Sequence, residues 1–205
     1  MHITFFNQVD FDIPRLAQFI NCTPTLSLPV RTLDEAHVEF DDRTAIVKLR
    51  CRELPPSYLE NLRIGISCRK PDWQLSSIEQ VCSNSSLHPL SMAEDLYIDC
   101  RYWQLVWKDD AIDNTLWLQL LLPFTTVKNL YLSKQFAPGI AAALQELTGG
   151  GMTEVLPSLQ NILVEGLEPS GPLRENVGQF VTARQLSGHL VAISEWVKDS
   201  ATKST

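Results

Sequence analysis

Residues capable of chemistry are scattered through this chain rather than gathered. The four histidines, His2, His37, His88 and His189, are far apart, and none has the His-x-x-x-His or Cys-x-x-Cys partner that would bring two ligands onto one face. Cys22, Cys51, Cys68, Cys82 and Cys100 are widely spaced, odd in number and set mostly in apolar surroundings, so they read as buried thiols rather than disulfides or ligands. Gly149-Gly150-Gly151 would need a following Lys and Ser or Thr to cradle phosphate, but Met152-Thr153-Glu154 follows, which leaves a helix terminator. No Gly-x-Ser-x-Gly elbow occurs; the nearest string, Gly65-Ile66-Ser67-Cys68, lies in an alternating segment that turns Ser67 outward. Asp109, Asp110 and Asp113 lack the glycine turn and closing glutamate of a calcium loop and read as a solvated approach to a helix cap. Trp73, Trp103, Trp107 and Trp117 read as aromatics sealing strand against helix, in preference to a ligand cage at Trp103 and Trp107. These features together predict no catalytic residue, no metal site and no cofactor.

Composition narrows the partners. With 44% apolar and 20% charged residues the chain can bury a core, which disfavours disorder. A net charge of -7 without a lysine or arginine cluster disfavours nucleic acid and anionic membrane. No run approaches the roughly 20 apolar residues that span a bilayer. The first eight residues carry no signal-peptide pattern, so an intracellular, cytoplasmic or nuclear, location is expected and the sequons at Asn21 and Asn84 carry no weight.

The elements that must position any site recur at a nearly fixed interval. Alternating segments begin at Leu62, Leu96, Leu130, Ile162 and Val191, about 34, 34, 32 and 29 residues apart, as stacked repeats require. Helical spacing fills the gaps: 72–83 after Asp72, 113–122 after Asp113, 138–147 opening on Pro138, and 171–186 with Leu173, Val177, Phe180, Val181 and Leu186 on one side and Gly188 closing it. Towards the N-terminus, 3–6 reads as a strand and 13–20 as a helix, while Ala36 to Phe40 and Ala45 to Cys51 flank Asp41-Asp42-Arg43-Thr44 as a hairpin.

The fold class expected is α/β, a single repeat-type domain over 1–205 with an irregular part to about 60, regular units over 61–197 and a polar tail at 198–205. Strands buried on both faces would be continuously apolar, yet Arg63, Tyr97, Asp99, Tyr131 and Glu165 interrupt them. That favours a short leucine-rich-repeat-like solenoid, with parallel strands on the concave side and helices on the convex side, over a doubly wound sheet.

Several phrases resemble a known group. Pro169-Ser170-Gly171-Pro172 and the run from Gly178 to His189, Gly65-Ile66-Ser67-Cys68 with Asp72 to Ser77, and Pro123-Phe124 through Leu130-Tyr131 are similar to the C-terminal, leucine-rich-repeat-like portion of F-box proteins of mushroom-forming (basidiomycete) fungi. The resemblance implies a repeat fold and recognition of a protein target. No segment here resembles the F-box, so a link to a ubiquitin ligase is implied only where an F-box stands upstream.

Arg63, Tyr97, Asp99, Tyr131 and Glu165 are therefore the candidate partner-binding residues, with His37 and Glu39 extending the surface. The alternatives are a small-molecule α/β enzyme using Asp99, Cys100 or Ser133, and a truncated product without independent function. The apolar first unit (Ile3, Phe5, Phe6, Phe11, Leu16, Phe19, Ile20) would lack a cap, so the isolated chain is expected to self-associate unless an upstream segment is restored. Light scattering over a concentration series checks this, and a monomer at high concentration would contradict it.

Overall fold

Where large apolar residues alternate with polar ones, the chain forms strand, because the period of two puts one set on a dry face. The computed structural model describes residues 2–6, 33–52, 62–68, 71–83, 88–100, 113–147 and 154–197. Within them lie β1 (His2–Phe6), β2 (Glu35–Phe40), β3 (Thr44–Arg50), β4 (Leu62–Ser67), α1 (Pro71–Ser83), β5 (Asp95–Cys100), α2 (Asn114–Leu121), β6 (Asn129–Leu132), α3 (Ala137–Gln145), β7 (Asn161–Glu165), α4 (Pro172–Leu186) and β8 (Ala192–Trp196). The expected helix at 13–20, the side chain of Asp72, Gly149 to Gly151, Trp103, Trp107 and the tail lie outside the described residues.

The strands form one open sheet in the order β1-β4-β3-β2-β5-β6-β7-β8. The fold is α/β and the sheet is mostly parallel, β3 alone running against the rest. From β5 to β8 the strands are parallel neighbours in chain order, as their spacing predicts. The in-order stacking of the segments at Leu62 and Leu96, which a solenoid running through all the regular units requires, is not found, and this counts against the solenoid and toward the doubly wound alternative for this part of the sheet. The hairpin of β2 and β3 intervenes, and Leu96 is paired with Ala36. The connection through α1 steps over two strands, about 14 Å from β4 to β5 at the usual strand spacing, a distance that a connection of this length spans easily.

Register places Leu62, Ile64, Leu96, Ile98, Leu130, Leu132, Ile162 and Val164 in one buried core with the inner residues of all four helices, so every described helix lies on the same face. The structure extends the repeat upstream of each strand. Leu90 and Ala93, Phe124 and Val127, and Leu156 and Leu159 lie six and three residues before Leu96, Leu130 and Ile162, and all are buried. The backbone repeats too. The carbonyl of Asp34 accepts from the N–H groups of Glu94 and Asp95, that of Glu94 from Lys128 and Asn129, and that of Lys128 from Gln160 and Asn161.

Local chemistry sets the element ends. Asp41 accepts from the Arg43 N–H at 2.8 Å in the hairpin turn, and the buried Gln74 amide of α1 donates to the carbonyls of Asp41 and Cys68, tying helix to hairpin. Asp113 caps α2 by accepting from Thr115 N–H at 2.9 Å. Trp117 of α2 packs edge-on to Phe40, and a Cβ at Gly139 of α3 would come within 3.2 Å of its Nε1, so glycine lets these helices close. At the end of α4, Gly188 takes φ +85° while His189 N–H reaches back to the Arg184 carbonyl.

Some packing expectations fail. Trp73 is 48% exposed and does not seal the helix, and Leu186 is 86% exposed rather than facing the core. Cys51 and Cys82 are buried but Cys68 and Cys100 are half-buried, and Cys22 lies outside the described residues. Register aligns Ile193, not Val191, with Ile162. Nor is the second sheet face uniformly wet: Ile46 (2% exposed) and Lys48 point there and are buried, so β3 is dry on both faces, in keeping with its Ala-Ile-Val-Lys-Leu sequence.

Replacing Leu130 by Ala should cost about 2–5 kcal/mol, because the site is fully enclosed, whereas Leu186→Ala should change stability by about 0.5 kcal/mol or less. Denaturant midpoints of the two variants measure the contrast, and equal shifts would refute the core assignment.

Candidate binding face

Alternation sends the second set of strand side chains to the face opposite the helices. One cross-strand row there runs Arg63, Lys48, His37, Tyr97, Tyr131, Leu163, Ser194. Parallel in-register pairing brings equivalent residues side by side, and three rings take advantage of it. His37 stacks on Tyr97 with centroids 4.4 Å apart and 6° between planes, and Tyr97 stacks on Tyr131 at 4.1 Å and 10°. Trp196 leans in from β8 across Leu163, edge-on to Tyr131 at 5.6 Å and to Tyr97 at 6.0 Å. Burial, and next the neighbouring Tyr131 phenol, push the Tyr97 pKa upward, so Tyr97 stays a neutral hydrogen-bonding group.

A polar ladder borders these rings at the strand starts. Asn161 donates to Asn129 at 2.7 Å, Asn129 donates to Asp95 at 2.6 Å, and Arg52 donates to the other oxygen of Asp95. Arg52 also reaches Glu35, 3.4 Å away, and Glu35 lies 3.5 Å from His37. The hydrogen bond from His37 comes first in holding the Glu35 carboxyl below its usual range, outweighing the opposing effect of burial, with Arg52 adding to it. On the other border Lys48 and Glu39 form a 2.6 Å ion pair with little exposure.

Of the residues expected to form the partner surface, Tyr97 and Tyr131 are in contact, with His37 beside them. Arg63 is on the same face but separated from Tyr97 by β3 and β2, directly across from Lys48. Asp99 lies opposite Glu39, and Glu165 opposite Trp196, accepting from the Lys134 N–H at 3.3 Å. Leu163, Trp196 and the ladder escaped sequence reading. Two signals pointed to them: alternation continues past Ser194 to Trp196, and Asp95, Asn129 and Asn161 each immediately precede the first core residue of a strand.

Among the described residues no group of three or more His, Cys, Asp or Glu could hold a metal ion, and no helix is long and apolar enough to cross a membrane. No protein-family model matches the chain, and neither the curated proteins nor the solved structures contain a match.

The depressed Glu35 carboxyl makes a signed prediction. A carboxyl with a lower pKa folded than unfolded stabilises the fold above its unfolded value, near 4.5, and that contribution disappears as acid drives pH down through the folded value. Wild type should therefore exceed Glu35→Gln in stability near neutrality, and the gap should close below pH 4.5. Paired urea melts across the acid range measure it, and a gap that widened on acidification would contradict the assignment.

Proposed function

We propose that this chain is a non-catalytic protein-interaction module, a short leucine-rich-repeat-like solenoid that takes its partner on the open face of β2 and β5–β8. The observation that carries the reading is the ring row of His37, Tyr97 and Tyr131 with Trp196 against it. Stacked rings lose little conformational freedom on binding and offer broad apolar area with polar tips, the composition found at the energetic centres of protein interfaces. The flanking charges, Glu35 with Arg52 on one side and Asp99 and Glu165 on the other, would orient that partner more than bind it.

The solenoid reading is supported from β5 to β8 by the in-order parallel strands, the one-sided helices and the repeated carbonyl hydrogen bonds, while the inserted hairpin between β4 and β5 departs from it. It agrees with the resemblance to the target-recognition repeats of fungal F-box proteins, which implies the same kind of role.

The test is comparative capture. Wild-type chain and Tyr131→Ala are immobilised, and the proteins retained from a basidiomycete lysate are identified by mass spectrometry, with Tyr131→Phe as a control that keeps the ring. A partner retained by wild type and Phe should weaken about 30-fold with Ala, the equivalent of about 2 kcal/mol at an interface centre. Equal retention by all three forms, with matching melting curves, would overturn the assignment of this face.

A further inference from the structure

The last strand is built unlike the others. Leu190 lies three residues before Ile193, the place held by Ala93, Val127 and Leu159 in the preceding units. Those three are buried, whereas Leu190 is 81% exposed, and Val197 just beyond the strand is 77% exposed. Ala192, Ser194 and Glu195 are exposed as well, so β8 is covered only where Ile193 meets the core and Trp196 meets the rings, and it is an edge of the described sheet.

We propose that β8 is a self-pairing edge, at which a second copy of this chain adds its own β8 antiparallel and makes one continuous sheet through a two-fold axis at Ser194. The Ala192 N–H already donates to Gln160 on the β7 side. Strand geometry therefore turns the N–H and C=O groups of Ile193 and Glu195 to the outer edge, where a second strand would meet them.

The sequence of β8 favours this register. A two-fold axis perpendicular to the sheet pairs residues of the same face, and Ser194 is the midpoint of the strand, so only the axis through it pairs all five residues Ala192–Trp196. Trp196, whose ring leans inward over Leu163, then leaves the outer edge clear beside Ala192 of the other copy, and exposed Val197 lies opposite Val191. Moving the axis to Glu195 would set two carboxylates against each other and leave Ala192 unpaired, a cost that discriminates against the slip. Helices of both copies would stay on one side, continuing the layer formed by α1 to α4. A second copy thus supplies the outer neighbouring strand that β5, β6 and β7 each have and β8 lacks among the described strands.

Ser194 falls at a non-hydrogen-bonded position of the new pair, where antiparallel Cα atoms approach to about 4.5 Å, within reach of a disulfide. The test uses the full chain. Sedimentation over a wide concentration range should show a reversible monomer–dimer equilibrium. Ser194→Cys should oxidise to a reducible dimer in which mass spectrometry finds a disulfide-linked peptide joining position 194 of the two copies, while Ser158→Cys, exposed elsewhere, should not. Glu195→Pro removes an outward N–H without touching the β7 pairing, so it should keep its circular dichroism and melting point while the dimer dissociates at least tenfold more readily. A monomer at every concentration, a dimer lacking the link between the two introduced thiols, or a dimer indifferent to a folded Glu195→Pro would each overturn the proposal; the first two also cover a different protein as the occupant and an interface at the N-terminal unit.

Discussion

One carbonyl accepting two N–H groups is the contact on which the regular half of this protein depends. It recurs at Asp34, Glu94 and Lys128, each just before or at the entry to a strand, and each fixes where the next strand begins relative to the last. With a side-chain period of two, a slip of one residue would turn Leu96, Leu130 and Ile162 to the open face and drive Tyr97 and Tyr131 into the core. The side-chain ladder of Asp95, Asn129 and Asn161 repeats the same lock one residue later. Core and candidate binding face are thus two results of a single register.

That dependence explains what could be read from the residues alone. Alternation and spacing revealed the strands from β5 to β8, their order and which side chains share a face, because period and interval are local properties. The position of β4 was not legible. Leu62 to Leu96 spans the same number of residues as Leu96 to Leu130, and a connection of that length reaches either the adjacent strand or the one three places away. Interval reports the length of a connection, not the number of strands it crosses. The hairpin of β2 and β3 was visible in its turn residues, but nothing local told where it would insert.

The site was legible to the same extent. Tyr97 and Tyr131 share a repeat position, so reading the repeat finds the pair, and His37 follows from the hairpin strand. Trp196 belongs to a strand whose core-side alternation has decayed to Ile193 and Glu195, so its end could not be recognised by a buried partner. Arg63 looked equivalent to Tyr97 because its segment matched in spacing, and the inserted hairpin is what removes it from the cluster.

The hairpin also divides the open face by chemistry. Around β3 the face is dry: Ile46 is buried and the charge of Lys48 is matched by Glu39 at 2.6 Å, as an ion removed from water requires. From β5 onward the same face bears half-exposed rings, with Asp95 neutralised by Arg52 at the border. A charge reversal across these two regions would have unequal effects, large at Glu39, where Lys48 would be left uncompensated at low exposure, and small at Glu165, which remains accessible to water. Dry packing and the proposed recognition surface thus sit on one face of one sheet, separated by the strands at which burial changes, and the boundary is drawn where β2 passes from pairing with an antiparallel neighbour to pairing with a parallel one.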